Sequence, residues 1–232
     1  MTPITFAHRG GGSGGTENTV AAFATARAKG ASGVESDVRL SADGVPVLAH
    51  DRTVRAGLRR REIAGHSASD LGALGVARLD ELYATVGPDL DVSLDLRVPA
   101  AADAVVEVAR RASSPDRLWL CSPDLDVLTD IRARHPDVRT VHSIRRQDLD
   151  VTVERHAATL ADAGIAACNL HRSEWSAGLV VLFHRFDVSA FAWDVQEVRH
   201  LREVLRQGVD AVYSDHVDRM VAVVGEWAAH PG

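Results

Sequence analysis

The chain has 232 residues, 46% hydrophobic and 25% charged, a composition of ordinary soluble globular proteins that excludes a disordered, collagen-like or disulfide-built chain. Its formal net charge of −6 gives no basic field to attract nucleic acid or an anionic membrane, so neither is expected as a partner. Cys121 and Cys168 lie in short apolar runs, residues 1–8 carry no leader pattern, and no apolar stretch approaches the roughly 20 residues that span a bilayer. A cytoplasmic protein without a transmembrane segment is expected.

Short β-like runs occur at residues 4–8, 33–38, 92–97, 118–121, 138–142, 166–170, 188–193 and 211–214. Segments of 3.6-residue spacing lie between and after them, at 19–28, 79–86, 101–112, 125–134, 151–163, 174–184, 198–207 and 217–227. About eight β/α units is the number and length of a TIM (β/α)8 barrel, here a single domain over residues 1–232. A doubly wound open sheet is the competitor. The barrel is preferred because polar residues recur at the C-terminal ends of nearly every run, where barrel active sites are built.

The first run ends in His8-Arg9-Gly10, followed by Gly11, Gly12, Ser13, Gly14 and Gly15. Glycines here let the chain turn sharply and free backbone N–H groups for an oxyanion, but no Gly-Lys-Ser/Thr follows, so this is not a nucleotide P-loop. Glu35 and Asp37, two apart on the second run, project from one strand face. Their repulsion asks for a bridging cation. After a turn at Asp43-Gly44, residues 45–49 form a short alternating run that ends at His50-Asp51. His8 and His50 then stand near one barrel mouth, where one imidazole can take a proton and the other give one.

Residues 51–78, with Arg55, Arg59, Arg60 and Arg61, break the alternation and have no strong period. A solvated loop is expected, the sharper alternative being a short lid whose arginines meet an anionic substrate. In the run from Asp91 to Arg97, period two puts Val92, Leu94 and Leu96 against the helices and Asp91, Ser93, Asp95 and Arg97 toward the interior and mouth. Asp95 is thereby a third oxygen ligand for a hard cation, Mg²⁺ or Ca²⁺. Further on, Trp175, Leu179, Phe183 and Phe186 fit core packing better than an exposed wall for an acyl chain.

In this order, His8-Arg9-Gly10, Glu17-Asn18-Thr19, Ala22-Phe23, Gly30-Ala31, Val34-Glu35-Ser36-Asp37-Val38, Asp43-Gly44, Val47 and His50-Asp51 resemble the glycerophosphodiester phosphodiesterase family. Leu79-Asp80-Glu81-Leu82, Leu94-Asp95-Leu96-Arg97, Trp193-Asp194-Val195 and the stretch from Gly208 to Asp215 continue the likeness more faintly. The resemblance implies a TIM barrel that hydrolyses a glycerophosphodiester to an alcohol and glycerol 3-phosphate with a divalent metal, Mg²⁺ or Ca²⁺. It implies His8 and His50 as catalytic acid and base and Glu35, Asp37 and Asp95 as metal ligands. Arg9, Arg97 and Trp193 are implied in substrate binding, with Glu17 either capping the first helix or reaching Arg9 or His8.

Three departures from the family pattern stand out. Asp95 and Arg97 replace the commoner Glu and Lys, Thr16 replaces a Pro before Glu-Asn-Thr, and the insertion at about 52–78 is short. An Asp at the third-ligand position resembles the related sphingomyelinase D-like phospholipases. Phospholipase D-like action on a lysophospholipid is accordingly the second enzyme reading, and a non-catalytic barrel that binds phosphorylated ligands is the third.

Overall fold

The computed structural model describes residues 2–12, 16–57 and 59–229. Its first half holds β1 (Ile4–Ala7), α1 (Val20–Ala28), β2 (Gly33–Leu40), β3 (Pro46–Leu48), β4 (Thr53–Ala56), β5 (Arg59–Glu62), α2 (Ala68–Gly72), α3 (Leu79–Val86), β6 (Asp91–Leu96) and α4 (Ala102–Arg111). There follow β7 (Leu118–Ser122), α5 (Leu125–Arg134), β8 (Arg139–Ser143), α6 (Val153–Asp162), β9 (Ala167–His171), α7 (Ala177–His184), β10 (Ser189–Trp193), α8 (Val198–Gln207), β11 (Ala211–Ser214) and α9 (Val217–Ala229). Strands β1, β2 and β6 to β11 are parallel neighbours in that order, and β1 pairs with both β2 and β11, so the sheet closes into an eight-stranded barrel. The open-sheet alternative is excluded by that closure. β3 lies antiparallel on β2.

Period-two alternation sorts the side chains as expected. Val92, Leu94 and Leu96 pack in the layer that holds Val105, Val106 and Ala109 of α4. Ser93, on the opposite face, shares a hydrogen bond with Tyr213 Oη across the lumen at 3.0 Å, and Trp119 Nε1 donates to Asp91 at 2.8 Å. Phe6, Trp119, Val141, Ala167, Phe191 and Tyr213 fill the barrel's interior, with the Phe6 and Tyr213 rings stacked at 4.7 Å between centroids. Apolar residues thus close the lower lumen, and polar groups gather at the mouth above them.

Outside the barrel, Trp175, Leu179 and Phe183 are buried in the α7 to α9 layer, and Trp175 Nε1 donates to the Phe191 carbonyl at 2.7 Å. These rings form core, as the helical spacing indicates, and present no wall at the mouth. Thr19 caps α1, its hydroxyl accepting from the Ala22 N–H, so Glu17 is free of that duty.

The expectation of an irregular loop at 51–78 is corrected. The segment forms the β4–β5 hairpin and α2, closed over a small apolar cluster of Val47, Ile63, Ala68, Leu71 and Val76. No period announces the hairpin because β5 is exposed on both faces, which removes the apolar alternation that marks a half-buried strand. Leu58 lies outside the described residues.

Candidate active site

Strand ends and one strained turn build the site. Immediately after β1, Arg9 takes a left-handed φ of 49°, with Gly10 at 80° and Gly11 at 70°. A non-glycine residue held there stores strain, a common feature of functional turns. A Cβ on Gly11 would collide with Val217, so this tight approach requires glycine. The turn does not leave its first N–H for an oxyanion: Arg9 N donates to Glu35 Oε2 at 3.0 Å. Ser13, Gly14 and Gly15 lie outside the described residues.

Glu35 and Asp37 point into the barrel from β2 and Asp95 from the adjoining β6, in register with Asp37. One oxygen from each of the three lies within 4.8 Å of the other two. Asp37 is 1% exposed and is gripped by cations: Arg97 donates from Nε at 2.7 Å and lies at 2.5 Å through Nη2, while Arg9 Nε sits at 3.1 Å, out of line for a hydrogen bond. Arg97 Nη2 also approaches Asp95 at 3.5 Å, and Arg9 Nη1 donates to Glu17 at 3.2 Å. Burial pushes the Glu35 carboxyl up to about 8 against the pull of His8, and desolvation raises Asp95 to about 6 against the pull of Arg97. Two arginines therefore do not balance three converging carboxylates, and a hard divalent cation fits that oxygen-rich donor set.

His8 Nδ1 donates to Asp215 Oδ1 at 2.6 Å, which turns Nε2 toward Glu35 Oε2 at 3.7 Å. Asp215 is itself fixed by Gln196, whose Nε2 donates to Oδ2 at 2.9 Å and whose Oε1 accepts from the Asp215 N–H at 3.0 Å. Burial works against the imidazolium, but the Asp215 hydrogen bond and the charges of Glu35 and Asp215 outweigh it and raise His8 to about 9. The folded value lies above the ordinary 6.5, so the pair's stabilisation is complete below 6.5 and fades as pH rises through about 9. In the metal-free protein, Asp215→Asn is expected to lower the His8 pKa, read by NMR titration of the ring. The variant's stability deficit in denaturant titrations should be largest in mild acid and vanish above about pH 10. An unchanged His8 pKa would remove Asp215 from this role.

His8, Arg9, Glu35, Asp95, Arg97 and Trp193 line one cavity of about 440 Å³ at the C-terminal mouth of the barrel, with Asp37 behind them. The same cavity is also lined by Ser143, Asn169, Asp194, Gln196, Tyr213 and Asp215. Arg145 stacks on Trp193, its guanidinium carbon 4.5 Å from the ring centroid. His50 is not part of this lining. It follows β3, whose end is tied to β2 by the Ala49 N–H on the Asp37 carbonyl at 2.9 Å, and its exposed ring bonds Asp51 Oδ1 through Nδ1 at 2.9 Å. Asp215, Gln196, Asn169 and Ser143 carried no role in the sequence reading. Period two counted inward from Ala211 through Tyr213 reaches Asp215, and that signal marks it as a lumen residue.

Residues 8–87 match the model of the glycerophosphoryl diester phosphodiesterase family. Over 48 residues the chain is 56% identical to glycerophosphodiester phosphodiesterase 1 of Rattus norvegicus, a match covering 21% of this chain and 14% of that protein. Over nearly the whole barrel it is similar to the crystal structure of the glycerophosphodiester phosphodiesterase of Thermotoga maritima, at 25% identity and a TM-score of 0.83, covering 96% of this chain and 99% of that one. Residues 8–87 are thus similar in sequence to the glycerophosphoryl diester phosphodiesterase family, and the whole barrel is similar in fold to a solved member. It also matches the structure of an Oleispira antarctica phosphodiesterase in complex with the product sn-glycerol-3-phosphate, at 22% identity and a TM-score of 0.81, with 97% of each chain covered.

The residues matched to that family model contain His8, Arg9, Glu35, Asp37 and His50. Asp95, Arg97, Trp193 and Asp215 lie beyond them and join the site through barrel closure. The chain spans about 14% of the length of the mammalian relatives it matches over those 48 residues. Among the described residues no helix is long and apolar enough to cross a membrane.

Proposed function

We propose that this chain hydrolyses a glycerophosphodiester to an alcohol and glycerol 3-phosphate. The observation that carries the reading is the convergence of His8, two arginines and three carboxylates in one cavity at the barrel mouth. The product complex of the structurally similar Oleispira antarctica phosphodiesterase supports it. Glu35, Asp37 and Asp95 would hold Mg²⁺ or Ca²⁺, which when bound supplies positive charge to polarise the phosphoryl group.

The chain's own residues divide the remaining work. Arg9 and Arg97 keep N–H groups beyond those committed to Glu17 and Asp37 and hold phosphate oxygens by charge-assisted bonds. With Nδ1 bound to Asp215, His8 presents Nε2 to the cavity and, in its neutral form, acts there as base or nucleophile. His50, exposed on the rim and held by Asp51, gives the proton to the leaving alcohol. Trp193 packs against the organic part of the substrate. Free, buried Cys121 and Cys168 suit a reducing cytoplasm.

Glycerophosphocholine is the substrate class expected to turn over, with lysophosphatidylcholine a poor one. Among the described residues the exposed large hydrophobic is Val181, which is not part of the cavity lining. Both substrates should be assayed with Mg²⁺, with Ca²⁺ and with excess EDTA. Turnover of glycerophosphocholine that chelation abolishes is the expected result. Preferential cleavage of the lysolipid would favour the phospholipase D-like reading, and metal-dependent binding without turnover the non-catalytic one.

A further inference from the structure

Asn169 is the central residue of β9, four strands from β2 in either direction around the barrel, so it lies across the lumen from the carboxylate cluster. Alternation places it in the lumen: Cys168 and Leu170 pack in the outer layer, whereas Ala167 belongs to the interior cluster. It is only 5% exposed and lines the cavity. Its amide is half satisfied. Nδ2 donates to Ser143 Oγ at 3.2 Å, while the buried Oδ1 has no hydrogen-bond partner among the described residues. A buried polar atom left unpaired is costly, and such an atom in a ligand cavity points to a group that a ligand brings.

The neighbouring polar groups on this wall are already committed. Gln196 spends both ends on Ser214 and Asp215, Tyr213 Oη shares its bond with Ser93, and Asp194 accepts from His171 Nε2 at 3.0 Å. Ser143, paired in register with Asn169 across β8 and β9, accepts the Asn169 amide and so keeps its own O–H proton for another acceptor. One free acceptor, Asn169 Oδ1, therefore sits beside one free donor, Ser143 O–H. Neither is charged, so the pair suits a neutral hydroxyl-bearing group and does not compete with the arginines for phosphate.

We infer that Asn169 and Ser143 form a hydroxyl-reading subsite that accepts from and donates to the free hydroxyls of the substrate's glycerol moiety. This rests on the proposed glycerophosphodiester reading and adds to it the residues that distinguish a glycerol from a deoxygenated or acylated counterpart. A site built to hydrogen-bond a hydroxyl rejects the analogue that lacks it, because its own polar atoms are then buried unpaired. In that role Asn169 and Ser143 determine specificity. They are remote from the proton transfers assigned to His8.

The test is a binding comparison, by calorimetry with Mg²⁺ present, of sn-glycerol 3-phosphate against n-propyl phosphate. The two share the phosphate and differ in the two hydroxyls. The wild-type protein is expected to bind sn-glycerol 3-phosphate roughly 10-fold or more tightly, the scale of one lost bond that leaves its partner unpaired. Asn169→Leu should reduce that ratio to about 3-fold or less by weakening glycerol 3-phosphate alone, and Ser143→Ala should reduce it partway. Ser143→Ala deletes one half-buried hydroxyl and keeps the test alive if Asn169→Leu does not fold. No discrimination by the wild-type protein, an unchanged ratio in both variants, or equal weakening of both ligands would overturn the inference. Discrimination of the two phosphates without hydrolysis of any glycerophosphodiester would instead overturn the proposed activity and leave the subsite standing.

Discussion

His8→Ala is expected to lower kcat for glycerophosphodiester hydrolysis by at least about 10²-fold, the lower end of what a general acid or base supplies. The fold should survive, since the ring stands at the barrel mouth and contributes no apolar packing to the interior cluster of Phe6, Trp119 and Tyr213. The loss is specific because Asp215 and Gln196 hold this imidazole in one orientation, with Nε2 toward the cavity. No neighbouring ring stands ready to replace it: among the described residues lining the cavity, His8 is the histidine. His50→Ala should lose activity as well, and the two variants are separated by leaving group. A substrate with a very acidic leaving group, such as a p-nitrophenyl ester, needs no proton from an acid. It should rescue His50→Ala and not His8→Ala, and the opposite pattern would reverse the assignment of base and acid.

The barrel was legible from sequence because each of its strands is half buried in a consistent sense. In β6 the alternation of Val92, Leu94 and Leu96 with Ser93 and Asp95 encodes the two environments on either side of the barrel wall, helix layer and lumen. Glu35 and Asp37 were legible for the same reason, since two carboxylates on one face of a buried strand have few purposes without a cation. The hairpin was not legible, because a strand exposed on both faces carries no period, and Arg59, Arg60 and Arg61 read equally well as loop. Asn169 and Ser143 escaped notice for a different reason. A single polar residue in a strand has no local signature, and its meaning comes from an unpaired atom and a neighbour 26 positions away. His50 was placed by chain order alone: it follows β3 beside β2, and its part-exposed ring bonds Asp51.

Asp95 is one of the residues where this chain departs from the commoner family pattern, and Asp95→Glu is expected to lower Mg²⁺-dependent turnover more than Ca²⁺-dependent turnover. One added methylene advances the carboxylate by about 1.5 Å, roughly one C–C bond. That advance is directed into a cluster whose oxygens already lie within 4.8 Å of one another. Mg²⁺ requires near-ideal octahedral geometry at short distances, whereas the larger Ca²⁺ shell tolerates displacement. Arg97 makes the change harder to absorb. Its planar fork is anchored on Asp37 and reaches Asp95 at 3.5 Å, so it cannot retreat as a flexible lysine ammonium would. The double variant Asp95→Glu with Arg97→Lys should therefore recover part of the lost activity, because it restores the longer ligand together with the more mobile cation. If Asp95 instead reaches the metal only through water, the longer side chain ought to improve contact and Asp95→Glu alone would raise Mg²⁺ affinity and turnover. A gain from the single variant would overturn the view that Asp95 and Arg97 form a matched pair, and recovery only in the double variant would confirm it.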